Sequence, residues 1–484
     1  MTGARRILAN TAYRAIADVA SKIASLVFYV VLARELGESD FGVFTFALTL
    51  VLLLTVLGNF GQDAILTREV VRDRRLLDGY FANTLALKVT VSLPLLAVGL
   101  AVGWLVGFDP ETRDVVAILG IAVIAEMLMS TCFATFQSFE RLAFIPVALI
   151  SQRYATAIVG VAALLAGARL RTVALIYLGG AVLGLSVALA ALFARVARPR
   201  LRVQPGRWPA LMRAAVWTGL AGVFAVILFR VDTAMLAAYE SDAVVGNYGA
   251  AYRLVESTLF LSWSVGAAVY PVFSRLARDS DPPVVVVFER AVKLVVALTL
   301  PLAVGAAVLA RPLIGLLYGD DYADAARALA ILAPTIALYP LCYLTGSLLV
   351  AQNRPYATTV VYGAMAVENI LANLILIPWL SLDGAAIGTS LTQSLVAVGM
   401  FWFARDLTAG CDWRRALAGP ALSTLVAIGV AALLRDELLV GAAAGAIVYA
   451  VSMVAFERAV FPDDARIFLD FLRRGRAVSA ARQP

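Results

Sequence analysis

Long apolar segments alternate with short polar breaks along almost the whole chain. Each segment is close to the roughly 20 residues that an α-helix needs to cross a bilayer, whereas membrane strands are shorter and alternate in polarity. The pattern predicts an all-α integral membrane protein with about fourteen transmembrane helices. The predicted spans are 10–33, 41–67, 79–105, 113–137, 145–167, 172–194, 212–238, 244–273, 288–310, 325–350, 356–379, 384–404, 415–434 and 437–460.

Short motifs recur in the two halves of the chain at a nearly constant offset. Residues 41–47 correspond to 245–251, and Leu-Pro-Leu at 93–95 corresponds to the same tripeptide at 300–302. A repeat of six spans gives both halves the same orientation, with a substrate site between them. A structural duplication without transport is the alternative. We therefore predict an N-lobe (1–194), a cytoplasmic linker (195–211), a C-lobe (212–406), two further spans (407–461) and a basic amphipathic cytoplasmic tail (462–484).

Polar residues form a stripe along the first predicted span. Arg14, Asp18 and Lys22 recur at four-residue spacing, so they share one face of the helix. One interpretation is a cavity wall that binds an anionic substrate through Arg14 and Lys22. The other is a self-neutralising group between helices.

The eighth predicted span carries a second charged group, Arg253 and Glu256. The repeat places this helix in the opposite half from the first span. Two facing cationic walls suit a phosphate or diphosphate, which arginine binds with a forked pair of hydrogen bonds. An Arg253–Glu256 pair that only serves packing is the alternative.

Further polar residues lie at membrane depth in other predicted spans. A glutamate there can carry a proton, help to bind sodium, or stay protonated between helices. Arg153 is a further candidate for substrate binding, and a pair with Glu368 across the lobes is one arrangement to test.

We expect Lys88 and Lys293 to reach the inner surface, and Arg230 to pair locally with Asp232. The other candidates for the cavity or for ion coupling are Asp18, Glu126, Glu256, Glu368, Asn369 and Asn373.

The amino-acid composition excludes several classes of function. The chain is 62% hydrophobic and 15% charged, which excludes a water-soluble enzyme. It has no histidine, three scattered cysteines and three lysines, none of them in a phosphate-binding loop. We therefore expect no cofactor and no metal centre, with H⁺ or Na⁺ coupling left open.

The net charge of +7 comes mainly from arginines in alternate loops. With the N-terminus inside, most basic residues fall in inner segments, which predicts both termini in the cytoplasm and a location in the cytoplasmic membrane. This distribution accounts for the charge without nucleic acid. The few basic residues of the outer segments are Arg34, Arg113, Arg169, Arg171, Arg311, Arg327 and Arg435.

Three stretches carry a family resemblance: residues 32–44, with Leu-Ala-Arg-Glu-Leu-Gly and Phe-Gly-Val-Phe; residues 313–334, with Leu-Leu-Tyr-Gly-Asp-Asp-Tyr; and residues 384–389. They resemble polysaccharide (O-antigen type) flippases of the multidrug/oligosaccharidyl-lipid/polysaccharide exporter superfamily. The resemblance implies two six-helix lobes in a V around a cationic cavity. It also implies transport of an isoprenoid-diphosphate-linked oligosaccharide, with the last two spans added to a twelve-helix core.

Lipid II flippases of this superfamily use cations in their first, second and eighth spans. Arg14 and Lys22 match the first and Arg253 the eighth, but the second span has no central cation and only Asp63 near its inner end. This departure argues against the peptidoglycan precursor as substrate.

We therefore expect a flippase that moves a lipid-linked oligosaccharide from the inner to the outer leaflet by alternating access. Its partners would be the lipid-diphosphate-linked glycan, membrane lipids and polysaccharide-assembly proteins. A cation-coupled multidrug exporter of the same fold is one alternative, although it would favour acidic and aromatic cavity residues. A membrane polysaccharide polymerase or ligase is another, although it would need a larger outer loop. A non-transporting scaffold is the third.

Overall fold

The computed structural model describes residues 3–276, 283–434 and 437–462, with side chains from residue 21 onward except at 263, 264, 266–268 and 271. The side chains of Arg14 and Asp18, and the predicted tail beyond residue 462, lie outside this part.

Helices and short turns make up the described chain, without a strand. The α-helices are α1 (Gly3–Thr55), α2 (Gln62–Arg72), α3 (Leu77–Val106), α4 (Pro110–Ser138), α5 (Phe144–Leu165), α6 (Leu170–Ala191), α7 (Trp208–Tyr239), α8 (Asp242–Leu276), α9 (Val284–Val308), α10 (Ala310–Tyr318), α11 (Ala323–Leu332), α12 (Pro334–Ala351), α13 (Pro355–Ala404), α14 (Trp413–Leu433) and α15 (Leu438–Val460).

Two of these helices contain a sharp turn where the sequence predicts a break between spans. In α1 the turn is at Gly37 (φ 80°, ψ 174°), and in α13 it is at Ser381 (φ 52°, ψ −128°). Positive φ costs glycine little and costs serine more, so the second turn is strained. We call the end of the helix bundle that carries both turns the Gly37 end.

The second predicted span, 41–67, is wrong as a continuous helix. The chain leaves the helix after Thr55 and starts α2 at Gln62. Gly61 adopts a left-handed conformation (φ 72°), and turn hydrogen bonds such as Gly58 N to Thr55 O (2.9 Å) replace the helical ladder. The leucines before the break make this segment as apolar as an intact span, so hydropathy does not indicate the break.

Eleven helices of the described chain are long and apolar enough to cross a membrane. Two of them, Ser21–Thr55 and Pro355–Ala404, each contain one of the sharp turns, and Asp242–Leu276 is not among them. The all-α membrane fold is thus confirmed. The count of fourteen spans stays a prediction, as do the domain limits.

The segment between α6 and α7 lies against α3 and marks the opposite end of the bundle, which we call the linker end. Asn83 Oδ1 accepts hydrogen bonds from the Gln204 amide (2.8 Å) and the Trp208 indole (2.9 Å). At the same end Arg354 donates two hydrogen bonds to Asp406 (2.8 and 2.6 Å), which lower the pKa of that carboxyl below its usual value.

The helices α14 and α15 are attached to α9 by polar contacts. Lys293 pairs with Glu457 and lies 4.7 Å from the centre of the Phe461 ring. Tyr449 donates to the Ala297 carbonyl (2.6 Å). A carboxylate near the end of a neighbouring helix thus binds the Lys293 ammonium, and the expectation that Lys293 reaches the inner surface stays a prediction.

Candidate functional site

A cluster of cations lies midway along the helices, between α1, α5, α7 and α8. Lys22 precedes the Gly37 turn by about 22 Å of helix, and Arg253 is about 16 Å along α8 from Asp242. Lys22 interacts electrostatically with charged groups on three other helices. These groups are Arg153, Arg230, Arg253 and Glu256.

Glu256 holds two of the arginines in place. It accepts from Arg253 at 2.8 Å and from Arg230, on α7, at 2.6 Å, and all three side chains are largely buried. Arg253 also lies 4.0 Å from the centre of the Tyr29 ring of α1. This cation–π contact joins the two halves of the bundle.

Arg153 occupies the N-terminal half of the cluster. It lies 3.7 Å from Glu126 and 3.5 Å from the Tyr177 hydroxyl, and Gln152 donates to the same carboxylate. The suggested pair with Glu368 is wrong, since Glu368 accepts from Thr392 (2.7 Å) in the other half.

The described side chains of the cluster carry an excess of positive charge. Lys22, Arg153, Arg230 and Arg253 are four cations, against the two carboxylates Glu126 and Glu256. The sequence identified all of these except Arg230. The sequence predicts a local pair between Arg230 and Asp232, its nearest acidic neighbour in the chain, and this prediction is wrong because Arg230 pairs with Glu256.

Asp232 instead forms a separate buried group. Its carboxylate accepts from the Tyr248 hydroxyl (2.5 Å), the Thr389 hydroxyl (2.8 Å) and the Thr233 amide (2.6 Å), and it is fully buried. Sequence analysis missed this site. The sequence does show an acidic residue within an apolar span, but the nearby Arg230 favoured a local ion pair as its explanation.

The predicted residues of α13 lie next to one another rather than in the cationic cluster. Asn369 donates to Thr392 (2.9 Å), and Asn373 donates to Asn369 (3.2 Å). The Asn373 side-chain oxygen is buried and has no hydrogen-bond partner within the described chain. It faces Gly388, the residue before Thr389.

A second buried ion pair lies in the N-terminal half near the α1–α2 break. Lys88 is fully buried and donates to Asp63 at 2.7 Å, to Ser130 at 2.9 Å and to the Met127 carbonyl at 2.8 Å. The expectation that Lys88 reaches the surface is wrong, because Asp63 supplies a counter-charge inside the bundle.

The two halves are closed against each other at the Gly37 end. A methyl group on Gly42 would lie 1.8 Å from the Asp242 carbonyl oxygen, and one on Gly246 would lie 2.0 Å from the Glu38 carbonyl oxygen. Asn247 also donates to the Glu38 carboxylate (2.5 Å). The helices α1 and α8 therefore cross in backbone contact and cover this end of the cluster.

The fold and the site define a class: a membrane transporter built from two helical lobes around a charged centre. The polysaccharide biosynthesis protein family model matches residues 7–277, and the MatE model matches residues 218–375. Because the first match covers more than half of the chain, the chain belongs to the polysaccharide biosynthesis protein family. The family resemblance of the sequence is confirmed.

Individual relatives agree with this assignment. The chain is 23% identical over 380 residues to the probable low-salt glycan biosynthesis flippase Agl15 of Haloferax volcanii, covering 76% of each chain. Among solved structures, an inward-closed lipid II flippase MurJ superposes with a TM-score of 0.78 at 15% identity, covering 92% of this chain and 98% of that one. An inward-facing MATE multidrug transporter gives 0.64 at 15% identity, covering 82% and 98%.

Proposed function

We propose that the protein is a flippase that moves an isoprenoid-diphosphate-linked oligosaccharide from the inner to the outer leaflet of the cytoplasmic membrane by alternating access. The observation that carries the proposal is the cationic cluster between α1, α5, α7 and α8. Among the described side chains the cations of the cluster outnumber its carboxylates, and a diphosphate diester carries two negative charges. Agl15, a probable glycan biosynthesis flippase, is a relative whose name fits this substrate.

In this mechanism the cluster lowers the cost of bringing a diphosphate into the bilayer interior. Arg253, Lys22 and Arg153 bind the phosphate oxygens, and Glu256 keeps the guanidinium of Arg253 oriented before the substrate arrives. The polar glycan crosses between the lobes, while the isoprenoid chain stays in the surrounding lipid. No bond is made or broken, so the protein acts as a transporter.

The closed Gly37 end corresponds to the outer side in this scheme. The loaded cluster then opens toward the outer leaflet when α1 and α8 separate at Gly42 and Gly246. Both chain termini are in the cytoplasm, and polysaccharide-assembly proteins supply and consume the glycan.

Asp232 is the residue that we assign to ion coupling. It is a buried carboxylate surrounded by hydroxyl groups rather than cations, a setting in which a carboxylate can bind H⁺ or Na⁺. The side-chain oxygen of Asn373, which has no hydrogen-bond partner within the described chain, faces Gly388 beside Thr389 and offers a further oxygen ligand. Either ion gradient can then bias the lobes toward one state.

A deletion in the organism that encodes the chain tests the proposal. We expect surface glycan to disappear and the lipid-diphosphate-linked oligosaccharide to accumulate, and we expect the wild-type gene to reverse both effects. The multidrug-exporter alternative, which the similarity to MATE transporters supports, predicts a different result. In that case surface glycan is unchanged and only tolerance to cationic drugs falls.

A further inference from the structure

The short helix α10 and the turn after it, Asp320–Tyr322, contact both lobes at the Gly37 end. Arg34 of α1 donates to the Leu316 carbonyl (2.5 Å). Tyr322 donates to the Ala33 carbonyl (2.9 Å), and its ring contacts Phe41. This segment therefore lies over the turn of α1.

Tyr318, the last residue of α10, differs from Tyr322 in one respect. It is 3% exposed, yet its hydroxyl has no hydrogen-bond partner within the described chain. Its phenol group interacts electrostatically with Arg253. The hydroxyl is thus a buried donor that has no partner within the described chain and lies within electrostatic range of the arginine that we assign to the diphosphate.

A buried hydroxyl without a partner is costly, because it has lost its hydrogen bonds to water and gained none in return. Phenylalanine would fill the same space without this penalty, so packing does not explain a tyrosine at position 318. A ligand that brings an acceptor oxygen to Arg253 would also satisfy this hydroxyl.

We propose that Tyr318 is a substrate-contacting residue whose hydroxyl donates a hydrogen bond to the diphosphate held by Arg253, an inference that rests on the proposed function. The ligand class is a lipid-linked diphosphate. Because Tyr318 belongs to the segment that contacts Ala33 and Arg34, the diphosphate would also touch the covering at the Gly37 end. Substrate occupancy and opening of that end would then be linked through one side chain.

The test compares Tyr318→Phe with wild type, using the purified full-length protein in detergent and farnesyl diphosphate as the probe. Calorimetry measures binding, and a thermal melt without ligand measures folding. Tyr356→Phe is the matched control, because Tyr356 is exposed on α13 at the linker end. Phosphatidylglycerol serves as a second ligand, which separates a diphosphate from a phospholipid headgroup.

We expect Tyr318→Phe to bind farnesyl diphosphate about 10-fold more weakly, the effect of losing a hydrogen bond to a charged acceptor. Its melting temperature should equal or exceed that of wild type, and Tyr356→Phe should match wild type in both measurements. In the Arg253→Gln background, Tyr318→Phe should have a smaller effect, because the two residues share one ligand.

Unchanged affinity in Tyr318→Phe, with normal binding by wild type, would overturn this inference and leave the flippase proposal intact. Equal affinity of wild type for phosphatidylglycerol would overturn the diphosphate as the ligand. If wild type does not bind farnesyl diphosphate, both proposals are wrong.

Discussion

At the scale of single residues, carboxylates hold the arginines of the cationic cluster in place, and among the described side chains the cations outnumber the carboxylates. Glu256 is shared between Arg230 and Arg253, so removing one arginine leaves the carboxylate paired with the other. Either Arg230 or Arg253 can therefore be removed without leaving Glu256 unpaired.

Arg253→Gln should reduce glycan export about 10-fold or more in a complemented deletion strain, because a phosphate oxygen loses a charge-assisted hydrogen bond. The amount of folded protein should stay near wild type, since Glu256 keeps Arg230. Arg213→Gln is the control, an exposed arginine on α7 near the linker end. Equal export by both variants would exclude Arg253 from the substrate path.

Lys88 and Asp63 give a prediction about stability rather than transport. Lys88 is fully buried, whereas the Asp63 side chain is 23% exposed. Asp63→Asn leaves a buried ammonium without a counter-charge and should cost about 3 kcal/mol or more. Lys88→Met leaves a carboxylate that keeps some exposure, so it should cost less. Thermal melts of the two variants in the same detergent check the order, and a larger loss in Lys88→Met would contradict this description of the pair.

At the scale of the helices, α1 and α8 form the closed end through two glycines. Any side chain at Gly42 would overlap the Asp242 carbonyl, which is backbone and cannot move without shifting α8. Gly42 and Gly246 allow this end to close because neither has a side chain that would overlap the facing backbone.

Gly42→Ala should destabilise the closed state by about 1–3 kcal/mol, as overpacking does in other interiors. Gly179→Ala is the matched control, because Gly179 lies inside α6 with open space around its Cα. That change should be neutral or stabilising by up to about 1 kcal/mol, through helix propensity. Thermal melts compare the two, and similar effects from both would mean that the crossing is not close.

The turn at Ser381 carries a different prediction. Its positive φ is unfavourable for serine, so Ser381→Gly should stabilise the protein by about 1 kcal/mol. Ser394→Gly, on the exposed surface of α13, should instead destabilise it by roughly 0.5 kcal/mol. A loss of stability in Ser381→Gly would show that the side chain has a role beyond the turn.

The helices themselves were predictable because apolar length is the main requirement for crossing a bilayer. The break after Thr55 was not, since the leucines around it are as apolar as those of an intact helix. The side-chain pairs were the least predictable part. Arg230 is two residues from Asp232 but pairs with Glu256, on another helix, because helix packing decides which side chains meet.

At the scale of the whole molecule, the two halves meet at the Gly37 end and around the charged centre. The family model identifies the chain as a polysaccharide biosynthesis protein, and the superposition on an inward-closed lipid II flippase shows that the two share a fold. Arg230 of α7 is the cation of the cluster to which the resemblance did not point.

The most direct test of this account is transport of the native substrate by the pure protein. Lipid-linked oligosaccharide extracted from the deletion strain would be placed in proteoliposomes, and a membrane-impermeant glycan-binding reagent would measure how much of it faces outward over time. We predict rapid exposure of the inner pool with wild type and about 10-fold slower exposure with Arg253→Gln. If wild-type proteoliposomes expose the glycan no faster than protein-free liposomes, the flippase account is wrong.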